Sequence, residues 1–371
     1  MNDKIYCMHC GSLNNKGDHF CIKCGAPLYP EQQGPQSNYQ QTKNPQTENI
    51  FQSATRTINS WTGEDKSVSI NLSSFFSQVW QRHTEAEAEN IFIAGTQSTT
   101  PSLAEVSSKP VQPWLYSRVL VGMMIAVGLL YLLINAFGNH LQLAFLCVLC
   151  ISVPVTLLVF FFEINVFKNI SLYLAIKICL IGGLMSLIVT LLIYSILGND
   201  QQLDIIGALT IGFIEETGKL LVGCYFVSKL RLTHVFNGML VGGAIGAGFA
   251  AFENLQYTQE YIQAAEQEAM LRAVCSIGTH AIWCAIAVAG LVLVNGNRQL
   301  TFSNVANLSF LRFFLCAVVL HGLWDWTTPL NDLKLIVLIC AGWVVLFILI
   351  HTGLREVKFI QNQINAKGNR Q

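Results

Sequence analysis

Charge is what this chain has least of. Only 12% of its 371 residues are charged against 52% hydrophobic, where a soluble domain carries about 25% charged residues, and this excludes an ordinary water-soluble globule. Net charge is absent as well, so no global basic field argues for nucleic acid, and none is expected as a partner. The opening residues, Met1 to Cys10, have no apolar run behind a basic flank. No signal peptide is read there, and the start of the chain is expected in the cytoplasm.

Organised cysteine is also scarce. Of twelve cysteines, Cys147, Cys150, Cys179, Cys224, Cys275, Cys284, Cys316 and Cys340 are scattered through apolar runs, where a thiol behaves as a small packed group. The CxxC formed by Cys147 and Cys150 is read the same way. The first four follow a pattern: Cys7-x-x-Cys10-Gly11 and Cys21-x-x-Cys24-Gly25. Two knuckles of this kind supply four soft ligands to one tetrahedral zinc, with a glycine after each pair for the tight turn. A cytosolic setting argues against disulfides. So short a segment cannot bury a sufficient core, so a structural zinc supplies its folding energy. His9 and His19 are read as neighbours of that zinc, not ligands.

Composition divides the rest. Residues 1–30 are read as the ribbon, 31–70 as a disordered polar linker rich in Gln, Asn and Pro, and 71–112 as an amphipathic helix with a juxtamembrane segment. In that third part Phe75, Phe76, Val79 and Trp80 fall at helical spacing. Residues 113–355 form the membrane domain and 356–371 a basic cytoplasmic tail. After Trp114 the apolar stretches approach the ~20 residues that cross a bilayer. Spans are expected near 115–137, 141–162, 171–197, 204–227, 235–257, 273–294, 309–326 and 333–352. The fold class is therefore all-α, a polytopic membrane protein of about eight transmembrane helices. Lys109, Arg118, Lys168, Lys229, Arg231, Arg298, Arg355 and Lys358 fall at the ends that would face the cytoplasm, against Arg272 and Lys334 opposite. This places both termini in the cytoplasm of a multi-pass cell-membrane protein.

Against this apolar background a few polar groups stand out. The fourth span carries Glu215, Glu216 and Lys219 near its middle, where an ionised group costs about 2.5–3.5 kcal/mol on insertion scales. Spacings of i, i+4 and i, i+3 let the one lysine face both acids. The fifth span opens with Gly238, Gly242 and Gly246 at four-residue spacing, which permits close helix contact, and continues to Glu253, Asn254 and Tyr257, the last a hydrogen-bonding candidate for Glu253. The sixth presents His280 and Trp283. The seventh adds His321 and Asp325 at i, i+4, on one face as a metal-binding or acid–base pair requires. Separate polar ties between helices, each contributing about 0.6–2 kcal/mol, are the alternative for these groups. Four successive spans contributing to one cavity is the reading preferred. An ion- or proton-coupled transporter also uses midplane acids, and a non-catalytic scaffold is the third reading. No inverted repeat supports the transporter.

Four motifs, Glu215-Glu216-x-x-Lys219, Phe249-x-x-x-Glu253-Asn254 with Tyr257, His280-Ala281-x-Trp283 and His321-x-x-x-Asp325, resemble those of the PrsW family of intramembrane proteases, in the wider group with CAAX-prenyl endopeptidases and Abi proteins. The resemblance covers roughly 115–355, and Lys219 fits PrsW better than the arginine-ended motif of the prenyl-protease branch. It implies an endopeptidase acting on a membrane-anchored protein of anti-sigma-factor type. Glu215 or Glu216 would activate water, while Lys219, Glu253, His280, His321 and Asp325 complete the catalytic set. Asn254, Tyr257 and Trp283 would position the substrate. Glu253, His280 and His321 could hold a catalytic divalent metal, though a metal-free glutamate mechanism uses the same residues. The ribbon and tether lie outside the resemblance; the ribbon suits a cytosolic protein partner.

Overall fold

The computed structural model describes residues 4–6, 13–15, 28, 49–198, 204–296 and 299–368. Cys7, Cys10, Cys21 and Cys24, read as zinc ligands, lie outside these, as do residues 31–48 of the linker. In the head, β1 (Lys4–Tyr6) pairs antiparallel with β2 (Leu13–Asn15), with Ile5 opposite Asn14. The rest is helical. Three short helices follow, α1 (Ile50–Ser60), α2 (Leu72–Phe75) and α3 (Glu85–Phe92). The bundle then comprises α4 (Leu115–Phe137), α5 (Gln142–Ile164), α6 (Leu172–Lys177), α7 (Gly183–Leu197), α8 (Ile205–Leu230), α9 (Val235–Glu260), α10 (Ala265–Cys275), α11 (His280–Asn295), α12 (Phe302–Val305), α13 (Leu308–Asp325) and α14 (Asn331–Gly368).

Among the described residues seven helical segments are long and apolar enough to cross a membrane: α4, α5, α6 with α7, α9, α10 with α11, α13 and α14. The eighth span read from the sequence is α8. It is 26 residues long but is interrupted by Glu215, Glu216 and Lys219, all buried. The protein is thus a multi-pass helical membrane protein, with seven candidate spans among the described residues against the eight read from hydropathy. Leu172–Leu197 is continuous but passes through a π-helical turn at Ile178–Gly182.

Three expectations are corrected. Residues 49–70 are not a tether. Asn49 caps α1 through a reciprocal capping box with Gln52, Trp61 packs edge-on against Phe313 at 5.6 Å, and Arg355 reaches both Glu64 and the Thr62 carbonyl. A polar composition does not preclude order where a bundle supplies the surface to pack on. The single amphipathic helix expected after residue 71 is instead α2 followed by a 3-10 turn, Ser77–Trp80. Phe75 and Phe76 both lie against Phe347, while Trp80 is exposed. The tail is likewise not a separate segment at its start: α14 continues through 356–368, and Glu356 and Val357 are buried.

The strap formed by α1 and its flank supplies a pH prediction. Burial pushes the Glu64 carboxyl up, but Arg355, Asn59 and His351 outweigh it and hold it below the ordinary value of 4.5. A carboxyl depressed by folding stabilises the docked strap above 4.5 and loses that contribution as pH falls through its folded value. Hydrogen exchange of residues 50–62, corrected for intrinsic rates, is therefore expected to accelerate below pH 4.5, and in Glu64→Gln already at pH 7.

The centre of the bundle is α9 against α11. A methyl group added at Gly238 would sit 2.8 Å from the Ala289 Cα, and at Gly242 and Gly246 it would overlap the carbonyl oxygens of Cys284 and His280. Glycine is what lets the two backbones touch. The same device joins α8 to α13, where a Cβ at Gly212 would lie 2.8 Å from Gly322 N and one at Gly322 would lie 2.7 Å from Leu209 Cα. Each contact sits within a few residues of a titratable group. Two other acids cap helices: half-buried Glu163 accepts from the N–H groups of Trp114, Leu115 and Tyr116 at 2.6–3.2 Å, and buried Glu356 accepts from Val235 N at 3.0 Å beside His234. Carboxylates at helix N-termini are favoured by the helix dipole.

Candidate active site

Glu215, Glu216 and Lys219 share one face of α8, and Lys219 is fully buried. Its ammonium lies 3.3 Å from Glu215 Oε2, 2.8 Å from Glu216 Oε1 and 3.0 Å from His280 Nδ1, and 3.9 Å above the Phe249 ring. An ammonium donates only, so Nδ1 of His280 accepts and its Nε2–H faces Glu253 Oε2 at 2.8 Å. Close packing at Gly246 and at Gly212 with Gly322 sets these distances, because it presses α11 onto α9 and α13 onto α8.

From α13, His321 Nδ1 stands 2.9 Å from Glu216 Oε1. Its Nε2 points between Glu215 Oε2 at 3.6 Å and Asp325 Oδ2 at 3.4 Å. Trp283 stacks on the His321 ring at 4.6 Å and meets His280 edge-on at 5.1 Å, so one indole fixes both imidazoles. The seven residues named as catalytic from the sequence thus form one connected network. Glu216 Oε2 has no hydrogen-bond partner among the described residues.

Asn254 and Tyr257 are arranged differently from the expectation. Asn254 donates to the Cys150 carbonyl at 3.1 Å and to Ser276 Oγ at 3.0 Å, tying α9 to α5 and to the turn before α11. Tyr257 does not bond Glu253. Its ring lies 3.6 Å under the Arg272 guanidinium, and that guanidinium faces Glu253 Oε2 at 3.6 Å and Glu268 Oε1 at 3.4 Å. Arg272 was read from the sequence only as a basic residue near a loop. Its signal was the Glu268 to Arg272 i, i+4 pair eight residues before His280, visible but uninformative without knowing that α10 folds back onto the site.

Glu215, His280 and His321, not Glu253 with the two histidines, bring one ligand atom each within 4.8 Å of one another. Glu253 meets His280 from the far side, which corrects the ligand set expected from the sequence. Two imidazoles and a carboxylate are a catalytic zinc donor set. Each imidazole also has a carboxylate on another ring nitrogen, Glu216 for His321 and Glu253 for His280, the outer-shell arrangement that orients metal-binding histidines. The donor types fit a divalent metal, which would take the place at His280 Nδ1 and Glu215 Oε2 that the Lys219 ammonium holds here. A cavity of about 200 Å³, lined by His280, Asn254, Arg272, Thr279, Trp324 and Asp325 among others, adjoins the network on the side where α9 and α13 end and α11 begins.

A multi-pass helical bundle that encloses an acid–histidine network among its spans has the bases and donors that an intramembrane hydrolase needs. Within it, residues 169–351 match the family model described as PrsW family intramembrane metalloprotease, so the chain carries a PrsW-family domain and is an intramembrane peptidase. Residues 6–28 match a zinc-ribbon domain, which indicates zinc at the head. No curated protein and no solved structure matches the chain.

Proposed function

We propose that the chain hydrolyses one peptide bond in a single-span, membrane-anchored regulator of anti-sigma-factor type, near the membrane face at which α7 ends and α8 begins. The observation that carries this is the Glu216 carboxylate. One oxygen is held by Lys219 and His321, and the other is unpartnered and left to take a proton from water. Glu215, beside it, is the alternative base. His321, backed by Glu216 and turned through Nε2 toward Glu215 and Asp325, orders the groups around the scissile carbonyl, and the proton that the glutamate takes from water returns to the leaving amine. A divalent metal held by Glu215, His280 and His321 would add Lewis-acid polarisation of the carbonyl.

Arg272, Thr279, Asn254 and Asp325 make the adjoining cavity polar, which suits an unwound peptide more than a lipid tail, because exposed backbone needs hydrogen-bonding partners inside a bilayer. Both termini are assigned to the cytoplasm from the basic residues, which puts the cut near the outer face. The ribbon then faces the cytosol and its protein partners. The test is to reconstitute the protein in vesicles with a pool of synthetic single-span peptides randomised around both ends of the apolar stretch, and to map products by mass spectrometry. Cuts are expected within about one helical turn of the outer end. Cuts confined to the cytoplasmic end would refute the assigned geometry.

A further inference from the structure

Opposite the glutamates, α7 presents a tyrosine that none of the four motifs contains. We infer that Tyr194 is a catalytic residue of this site, its phenol donating a hydrogen bond to the oxygen of the scissile carbonyl as that oxygen becomes negative. The inference rests on the peptidase reading above.

The placement follows from helix register. Thr190 of α7 and Gly218 of α8 are in direct contact: a Cβ at Gly218 would overlap Thr190 Oγ1 and lie 3.1 Å from Thr190 N. The two helices run antiparallel. One turn from Thr190 along the same face is Tyr194, and one turn from Gly218 in the same direction is Ile214, next to Glu215; at about 1.5 Å per residue both steps cover about 6 Å. Tyr194 therefore stands level with Glu215. Lying one turn from Thr190 on the side of α7 that meets α8, it faces the helix that carries Glu215 and Glu216. It is partly exposed, and its hydroxyl forms no hydrogen bond among the described residues. A half-buried phenol level with Glu215, with its donor unused, is positioned for an acceptor brought by the substrate.

The step balances without another reagent. When the water oxygen bonds to the carbonyl carbon, the π pair moves to the carbonyl oxygen and one water proton passes to a glutamate. Tyr194 keeps its own proton and donates a hydrogen bond to the new oxyanion. When the C–N bond breaks, its electron pair leaves with nitrogen, which takes the glutamate's proton, and the carbonyl re-forms.

Tyr194→Phe removes only the hydroxyl. With the randomised single-span peptide pool in vesicles, kcat is expected to fall about 10²-fold, within the range for losing one oxyanion donor, with KM within twofold and the thermal unfolding midpoint unchanged. Full activity in Tyr194→Phe beside an active wild type would overturn the role of Tyr194 and leave the peptidase reading standing. So would a loss that appears in KM alone, or one accompanied by a lowered unfolding midpoint. A wild type that cuts none of the peptides would overturn both.

Discussion

Glu216→Gln is expected to lower peptide cleavage by about 10²–10⁴-fold, the range for removing a positioned general base, while the protein still inserts and folds. The amide keeps the shape of the carboxylate and can still accept from Lys219 or His321 through its oxygen, but it cannot take a proton from water. Substrate binding should survive, so the loss belongs in kcat. The measurement is single-turnover cleavage in vesicles, with peptide binding followed separately by fluorescence. Glu215→Gln is the companion. A loss confined to Glu215→Gln would move the base to that residue, and activity retained in both variants would remove the glutamates from the chemistry.

Lys219→Met is expected to have the largest effect on stability. The ammonium is fully buried and faces two carboxylates and His280 Nδ1. Removing one partner of a buried charge cluster strands the others, and such changes cost about 3–5 kcal/mol. The thermal unfolding midpoint in detergent should fall markedly. Adding Glu216→Gln to Lys219→Met should recover part of the loss, because it removes one stranded charge. Residues that share a partner do not behave additively, so the double variant tests whether Lys219 acts as the counter-cation of the acids. A double variant less stable than Lys219→Met alone would refute that role.

Much of this site could be read along the chain because lipid penalises polar groups. In a soluble protein Glu215, His280 or His321 would be one charged residue among many, whereas here each interrupts an apolar span. The zinc ribbon was legible for a related reason, since cysteine pairs at fixed spacing have few other uses. The resemblance to PrsW motifs came from the same residues, and the match over 169–351 agrees with it.

What the sequence could not convey is which atoms meet across helices. Arg272 and Tyr194 carry no motif and become visible only when α10 folds against α9 and α7 against α8. The expected Tyr257 to Glu253 hydrogen bond gave way to an Arg272 stack for the same reason. Glu163 lies in as apolar a stretch as the site's own acids, yet it caps α4. The strap over 49–66 looked too polar to fold because its partners, Phe313 and Arg355, lie roughly 250 or more residues away in the chain.

By itself, then, the sequence determined that the chain enters the membrane many times and which apolar stretches bear costly polar groups, since each of those depends on the transfer free energy of a local stretch. Only the tertiary structure decided that Glu215, and not Glu253, shares a ligand group with the two histidines, and that Lys219 sits among them. Those choices depend on how closely backbones approach at Gly212, Gly246 and Gly322, and a distance of that kind is a property of packed helices that no single span contains.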